Sequence, residues 1–140
     1  MATPKLAIVI NHEAVRWLLT ELLCDVGYEV IVVYHPASMD TLIYHTRPQL
    51  IIVEVGLNGA AEGWELVDRL SRNPIAQDIP LLVCSVDQYA LHDEVPALQR
   101  PNVATLVFPA VTDTLLMTIR ALLEQHDVPR MEQTHAAEAV

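Results

Sequence analysis

Apolar residues along the chain follow two rhythms. Five short blocks, Lys5–Ile10, Glu29–Val33, Leu50–Val55, Leu81–Ser85 and Ala104–Phe108, are apolar almost throughout. Runs of that length and continuity predict strands buried on both faces, as in a parallel sheet covered by helices. Between the blocks the spacing changes to threes and fours. Val15, Leu18, Leu19, Leu22, Leu23 and Val26 form one such set. Met39, Leu42 and Ile43 form a second, Trp64, Leu66, Val67 and Leu70 a third, and Val111, Leu115, Leu116, Ile119, Leu122 and Leu123 the last. Each set marks one face of a helix. Tyr89–Leu98 has the weakest pattern: Tyr89, Leu91 and Val95 line a helix that Pro96 would cut short.

Punctuation between the blocks agrees with this reading. Asn11 stands where a helix N-cap is expected, and Gly27 where a helix would end on a C-cap glycine. Arg47-Pro48 turns the chain into the third strand, and Asn73-Pro74 closes the third helix. The pattern fades after His126, so residues 1–126 read as one domain and 127–140 as a tail or linker stub. Five strands alternating with five helices predict a three-layer α/β/α sandwich around a parallel sheet.

Composition narrows the function classes. The chain has 140 residues with 52% hydrophobic but only 5% aromatic side chains, so the core must be aliphatic. Lys and Arg number 8 against 18 Asp and Glu, a net charge of −10, which argues against direct nucleic-acid binding. No apolar run reaches membrane-spanning length and no signal-peptide pattern opens the chain, so a cytoplasmic protein is expected. Cys24 and Cys84 lie far apart in apolar contexts without ligand spacing, and read as reduced core residues. The six histidines are likewise scattered without metal spacing.

The one chemical anomaly is Glu54. It is a carboxylate near the end of the most continuously apolar block, at the sheet edge where open α/β folds build their sites. His12 reads as a solvated loop histidine, and Glu13 with Arg16 as a solvated pair on the first helix.

Three segments carry a resemblance to the receiver domain of two-component response regulators. They run from Arg16 and Leu19 through Leu23 to Gly27-Tyr28-Glu29-Val30, from Pro48-Gln49 through Glu54 to Gly63-Trp64-Glu65-Leu66, and over Ile79-Pro80 to Ser85. The resemblance covers about Leu6 to Glu124. It implies the CheY-like, flavodoxin-like fold with strand order 2-1-3-4-5. It also implies a set of site positions. The family's phospho-accepting Asp falls at Glu54, its Mg²⁺-binding acidic pair at Asn11 and His12 or, with the loop ungapped, at Ile10 and Asn11, its Ser or Thr at Ser85, its Lys at Phe108 before Pro109, and its switch aromatic at Thr105.

Nucleophile, metal ligands and Lys have therefore all changed. One extra methylene misplaces the Glu54 carboxylate for in-line transfer, loss of two hard oxyanions removes most Mg²⁺ affinity, and Phe108 offers no charge. The resemblance thus implies a degenerate receiver, a pseudo-receiver of a phosphorelay that is not an enzyme, has no cofactor and acts by protein–protein interaction. Its partners would be a histidine kinase, a phosphotransfer protein or an output domain, met through the face where Leu116, Met117 and Arg120 lie. A homodimer through the last helix and fifth strand is also compatible with that face. Glu54 then reads either as a mimic of aspartyl phosphate aimed at Ser85 or as a residual polar group. Asn11 and Ser85 read either as neutral donors to Glu54 that replace the metal, or as a plain helix N-cap and a satisfied strand-end hydroxyl. Two alternatives stay open: an active receiver using Glu54 or a nearby residue, and a flavodoxin-like small-molecule binder. The second lacks a Gly-, Ser- and Thr-rich loop after the first strand.

Overall fold

The structure, a computed structural model, describes residues 3–56, 61–87, 91, 100–108, 110 and 112–124. The strands are β1 (Lys5–Val9), β2 (Glu29–Val32), β3 (Leu50–Glu54), β4 (Leu81–Ser85) and β5 (Val103–Val107). The helices are α1 (Glu13–Asp25), α2 (Met39–Thr46), α3 (Ala61–Arg72) and α4 (residues 112–124). The strands pair in parallel in the order β2-β1-β3-β4-β5. The flavodoxin-like α/β sandwich is therefore the observed fold. The expected helix at Tyr89–Leu98 lies outside the described residues except for Leu91, as do Pro109, Asn58-Gly59 and the tail.

The pleat of the sheet divides the core in two. Ala7, Val9, Ile51, Val53, Leu81 and Val83 face α2 and α3. Leu6, Ile8, Leu50, Ile52, Leu82 and Cys84 face α1 and α4. Residues alternate between faces because the side-chain period of a strand is two. All five residues of β3, and all five of β4, are buried, as continuous apolar blocks in central strands require.

Local chemistry sets the joints. After α1, the Gly27 N–H donates to the Cys24 carbonyl and the Tyr28 N–H to the Leu23 carbonyl, each at 3.0 Å. Gly27 takes φ +101°, and this pair of bonds is a Schellman C-cap that needs the left-handed residue. At Gly63 the reason is different. A Cβ there would collide with the Glu54 carbonyl oxygen, so glycine lets the first turn of α3 lie directly on the end of β3. Arg47 also takes positive φ, 51°, where α2 turns into Pro48.

Four readings of α1 and its surroundings need correction. The helix N-cap is His12, without a side-chain cap bond, rather than Asn11. Of the apolar set on α1, only Leu19 and Leu23 are buried; Leu18 and Val26 are exposed, because the set spreads wider than the strip that meets the sheet. Cys24 is exposed, on the side of α1 away from that strip, and is not a core residue. Arg16 donates from Nη1 to the Ile10 carbonyl at 3.1 Å and lies 5.0 Å from the Tyr34 ring centroid, so it braces the end of β1 instead of pairing with Glu13.

Candidate functional site

Glu54 ends β3 on the same side as Leu50 and Ile52, so alternation turns it toward α1. β1 pairs with β3, bringing the loop after Val9 beside it. The Glu54 side chain is buried, 3% exposed, and three donors meet its carboxylate. The backbone N–H of Asn11 donates to Oε1 at 2.6 Å and that of His12 to the same oxygen at 3.0 Å. The His12 Nδ1 pairs with Oε2. A carboxylate supplied from 43 residues away in sequence thus performs what the acid of a capping box does at a helix start. It lies at the positive end of the α1 dipole, which favours negative charge.

The site residues anticipated from sequence are only partly brought together. Asn11 does bond Glu54, but through its backbone. His12 contributes both its N–H and its imidazole, so it is not a free solvated loop residue. Ser85 is fully buried, and its Oγ accepts the Asp87 N–H at 3.0 Å. The contacts of Glu54 do not include it, because it is Cys84 that stands in register with Glu54, and the pleat turns the next residue the other way. Phe108 is buried against the α1 and α4 side of the core. It lines a cavity of about 260 Å³ with Val15, Leu18, Leu22, Val86 and Leu115. The position that the family fills with a cation therefore fills apolar space here. Thr105 is exposed in the middle of β5, and Val83, its register partner, separates it from β3.

Cys84 stands in register with Glu54 on the neighbouring strand. Burial, and secondarily the Glu54 carboxylate, push its thiol well above the ordinary range. Its Sγ contacts the Val53 carbonyl at 3.5 Å. Held as a neutral thiol, it is a poor nucleophile.

The donor set does not suit Mg²⁺. That ion needs hard oxygen ligands in octahedral array, whereas Asn11 and His12 offer an amide and an imidazole. The Glu54 oxygens already accept three bonds from the chain. Among the described residues, no three His, Cys, Asp or Glu side chains come together in a way that could hold a metal ion.

No family model and no curated protein matches this sequence. Solved structures do. NtrX from Brucella abortus is similar with a TM-score of 0.80 and 20% identity, over 95% of this chain and 29% of that one. The chemotaxis response regulator CheY4 of Vibrio cholerae matches with a TM-score of 0.71 and 20% identity, over 86% of this chain and 99% of its own. A CheY-like receiver domain from Methylobacillus flagellatus matches with a TM-score of 0.70 and 17% identity, over 86% and 99%. The chain spans under a third of the NtrX chain and nearly the whole of the two single-domain neighbours. At these identities the likeness shows the fold: that of response-regulator receiver domains.

Proposed function

We propose that this chain is a degenerate receiver module of a two-component pathway, which signals by protein–protein contact and does not accept phosphate by the Asp/Mg²⁺ mechanism. The observation that carries this reading is the engagement of Glu54 by donors from its own chain. At the position of the family's nucleophile, a carboxylate is buried and engaged by His12 and two loop amides. The charge-handling groups that phosphoryl transfer needs are replaced by Asn11, His12 and the buried Phe108. The module works in the cytoplasm without a cofactor. Its partner is a kinase, a phosphotransfer protein or an output domain.

The partner face includes α4, where Met117 is 68% exposed beside exposed Arg120 and half-buried Leu116. β5 adds the exposed Val107. A second copy of the chain meets this same face. Acetyl phosphate, or beryllofluoride with Mg²⁺, tests the reading. Intact mass and amide NMR spectra are expected to stay unchanged. A stoichiometric adduct on Glu54, or a Mg²⁺-dependent shift of the amides around it, would overturn the proposal in favour of an active receiver.

A further inference from the structure

The donors that meet Glu54 come from two adjacent residues, and these are the whole polar part of the loop between β1 and α1. Ile10, the remaining loop residue, is buried and anchored in the core. Asn11 and His12 are exposed. No apolar side chain of its own holds this pair down: its neighbours are the buried Ile10 and α1, whose Arg16 N–H donates to the His12 carbonyl at 2.8 Å, and over the end of β3 it is fixed by polar contacts to one carboxylate. Two of those contacts are backbone N–H bonds that any residue at 11 or 12 would make. The third depends on the side chain at position 12. It joins a half-exposed imidazole, 56% exposed, to a carboxylate that is 3% exposed. The imidazole thus stands between Glu54 and solvent.

We infer that the loop of residues 10–12 is a self-docked plug, with the His12 imidazole as its latch on Glu54. The plug supplies from within the chain the donors that the carboxylate would otherwise seek outside, and it closes the carboxylate to external cations and reagents. Removing the imidazole contact, one of the two that His12 makes to Glu54, loosens the plug and opens the carboxylate to solvent. The inference concerns the closure of the site and holds whichever partner the module binds. An adduct on Glu54 in the beryllofluoride experiment would count against the functional reading and the plug together, whereas no adduct there with unprotected Glu54 in the test below would sink the plug alone.

The test uses the whole chain and two readouts. Amide exchange of Asn11 and His12 is compared among wild type, His12→Ala, Glu54→Gln and the double variant. Each single change is expected to accelerate exchange by about tenfold, and the double change no further, since partners in one contact do not add. The amides of Val53 and Val83, in central strands, are expected to hold. Carbodiimide-driven amidation, mapped by peptide mass spectrometry, reads the carboxylate directly: Glu54 is expected to be protected in wild type and labelled in His12→Ala, while exposed Glu13 and Glu21 label alike in both. His12 lies largely at the surface, so its replacement leaves the core intact, and this variant alone decides if Glu54→Gln fails to fold. Exchange within about twofold of wild type in His12→Ala, additive effects in the double variant, or equal labelling of Glu54 would each overturn the plug.

Discussion

At Gly27 the backbone sits at φ +101° with no atom within 4 Å of where a Cβ would stand. The demand is thus conformational and not steric. Gly27→Ala is expected to cost about 1 kcal/mol, read from the denaturant midpoint at unchanged m-value. The two cysteines differ in a way that labelling can check. Exposed Cys24 is expected to alkylate in the native state, and buried Cys84 only on unfolding. Because burial raises the Cys84 thiol, the folded chain holds that proton more tightly than the unfolded one. The resulting stability is fully present below the unfolded value of about 8.5 and is lost as pH climbs above it, by at most about 1.4 kcal/mol per unit. Urea midpoints at pH 8.5 and about 10 are expected to fall more in wild type than in Cys84→Ala.

Among the elements, α3 and β3 meet with no room to spare. Gly63→Ala places a methyl against the Glu54 backbone carbonyl, and overpacking of that kind costs about 1–3 kcal/mol. Since that carbonyl belongs to the residue that anchors the loop of residues 10–12, the same change is expected to shift the Asn11 and His12 amide resonances. An effect confined to α3 would show that the end of β3 yields without disturbing the site. α1 presents a different case. Its apolar set was visible in the sequence, but the strip that contacts the sheet is narrower than the set. Leu18 is left exposed at the rim of the cavity beside Phe108, so Leu18→Ala is expected to change stability by less than about 1 kcal/mol. Leu23→Ala, fully buried on the same helix, is expected to cost about 2–5 kcal/mol.

For the whole molecule, the order of the sheet decides where damage is greatest. Ile52 is fully buried in the central strand, in register with Ile8 and Leu82, whereas Val30 lies half-buried in the edge strand β2. Ile52→Ala is expected to lower stability by about 2–5 kcal/mol, more than Val30→Ala, when both are measured by denaturant unfolding. The fold itself was legible because its signal is repetitive. Every strand block is a continuous apolar run and every helix face a spacing of threes and fours, and errors at single positions do not change the count. β4 matched its expected bounds, β1, β2 and β3 each end one residue earlier than expected, and β5 is shifted as a whole by one residue toward the N-terminus.

The chain's own order of residues determined the sheet, its parallel sense, the aliphatic core and the presence of an acid at the end of β3. Those follow from the spacing of apolar side chains, which is a local property. What surrounds that acid was decided only in three dimensions. Glu54 faces α1 because it shares a side with Leu50 and Ile52, it meets Asn11 and His12 because β1 pairs with β3, and it misses Ser85 because the pleat turns that residue away. Partners chosen by strand register and pleat leave no trace in spacing along the chain. His12 therefore read as a loop histidine until the pairing of β1 with β3 brought it against Glu54.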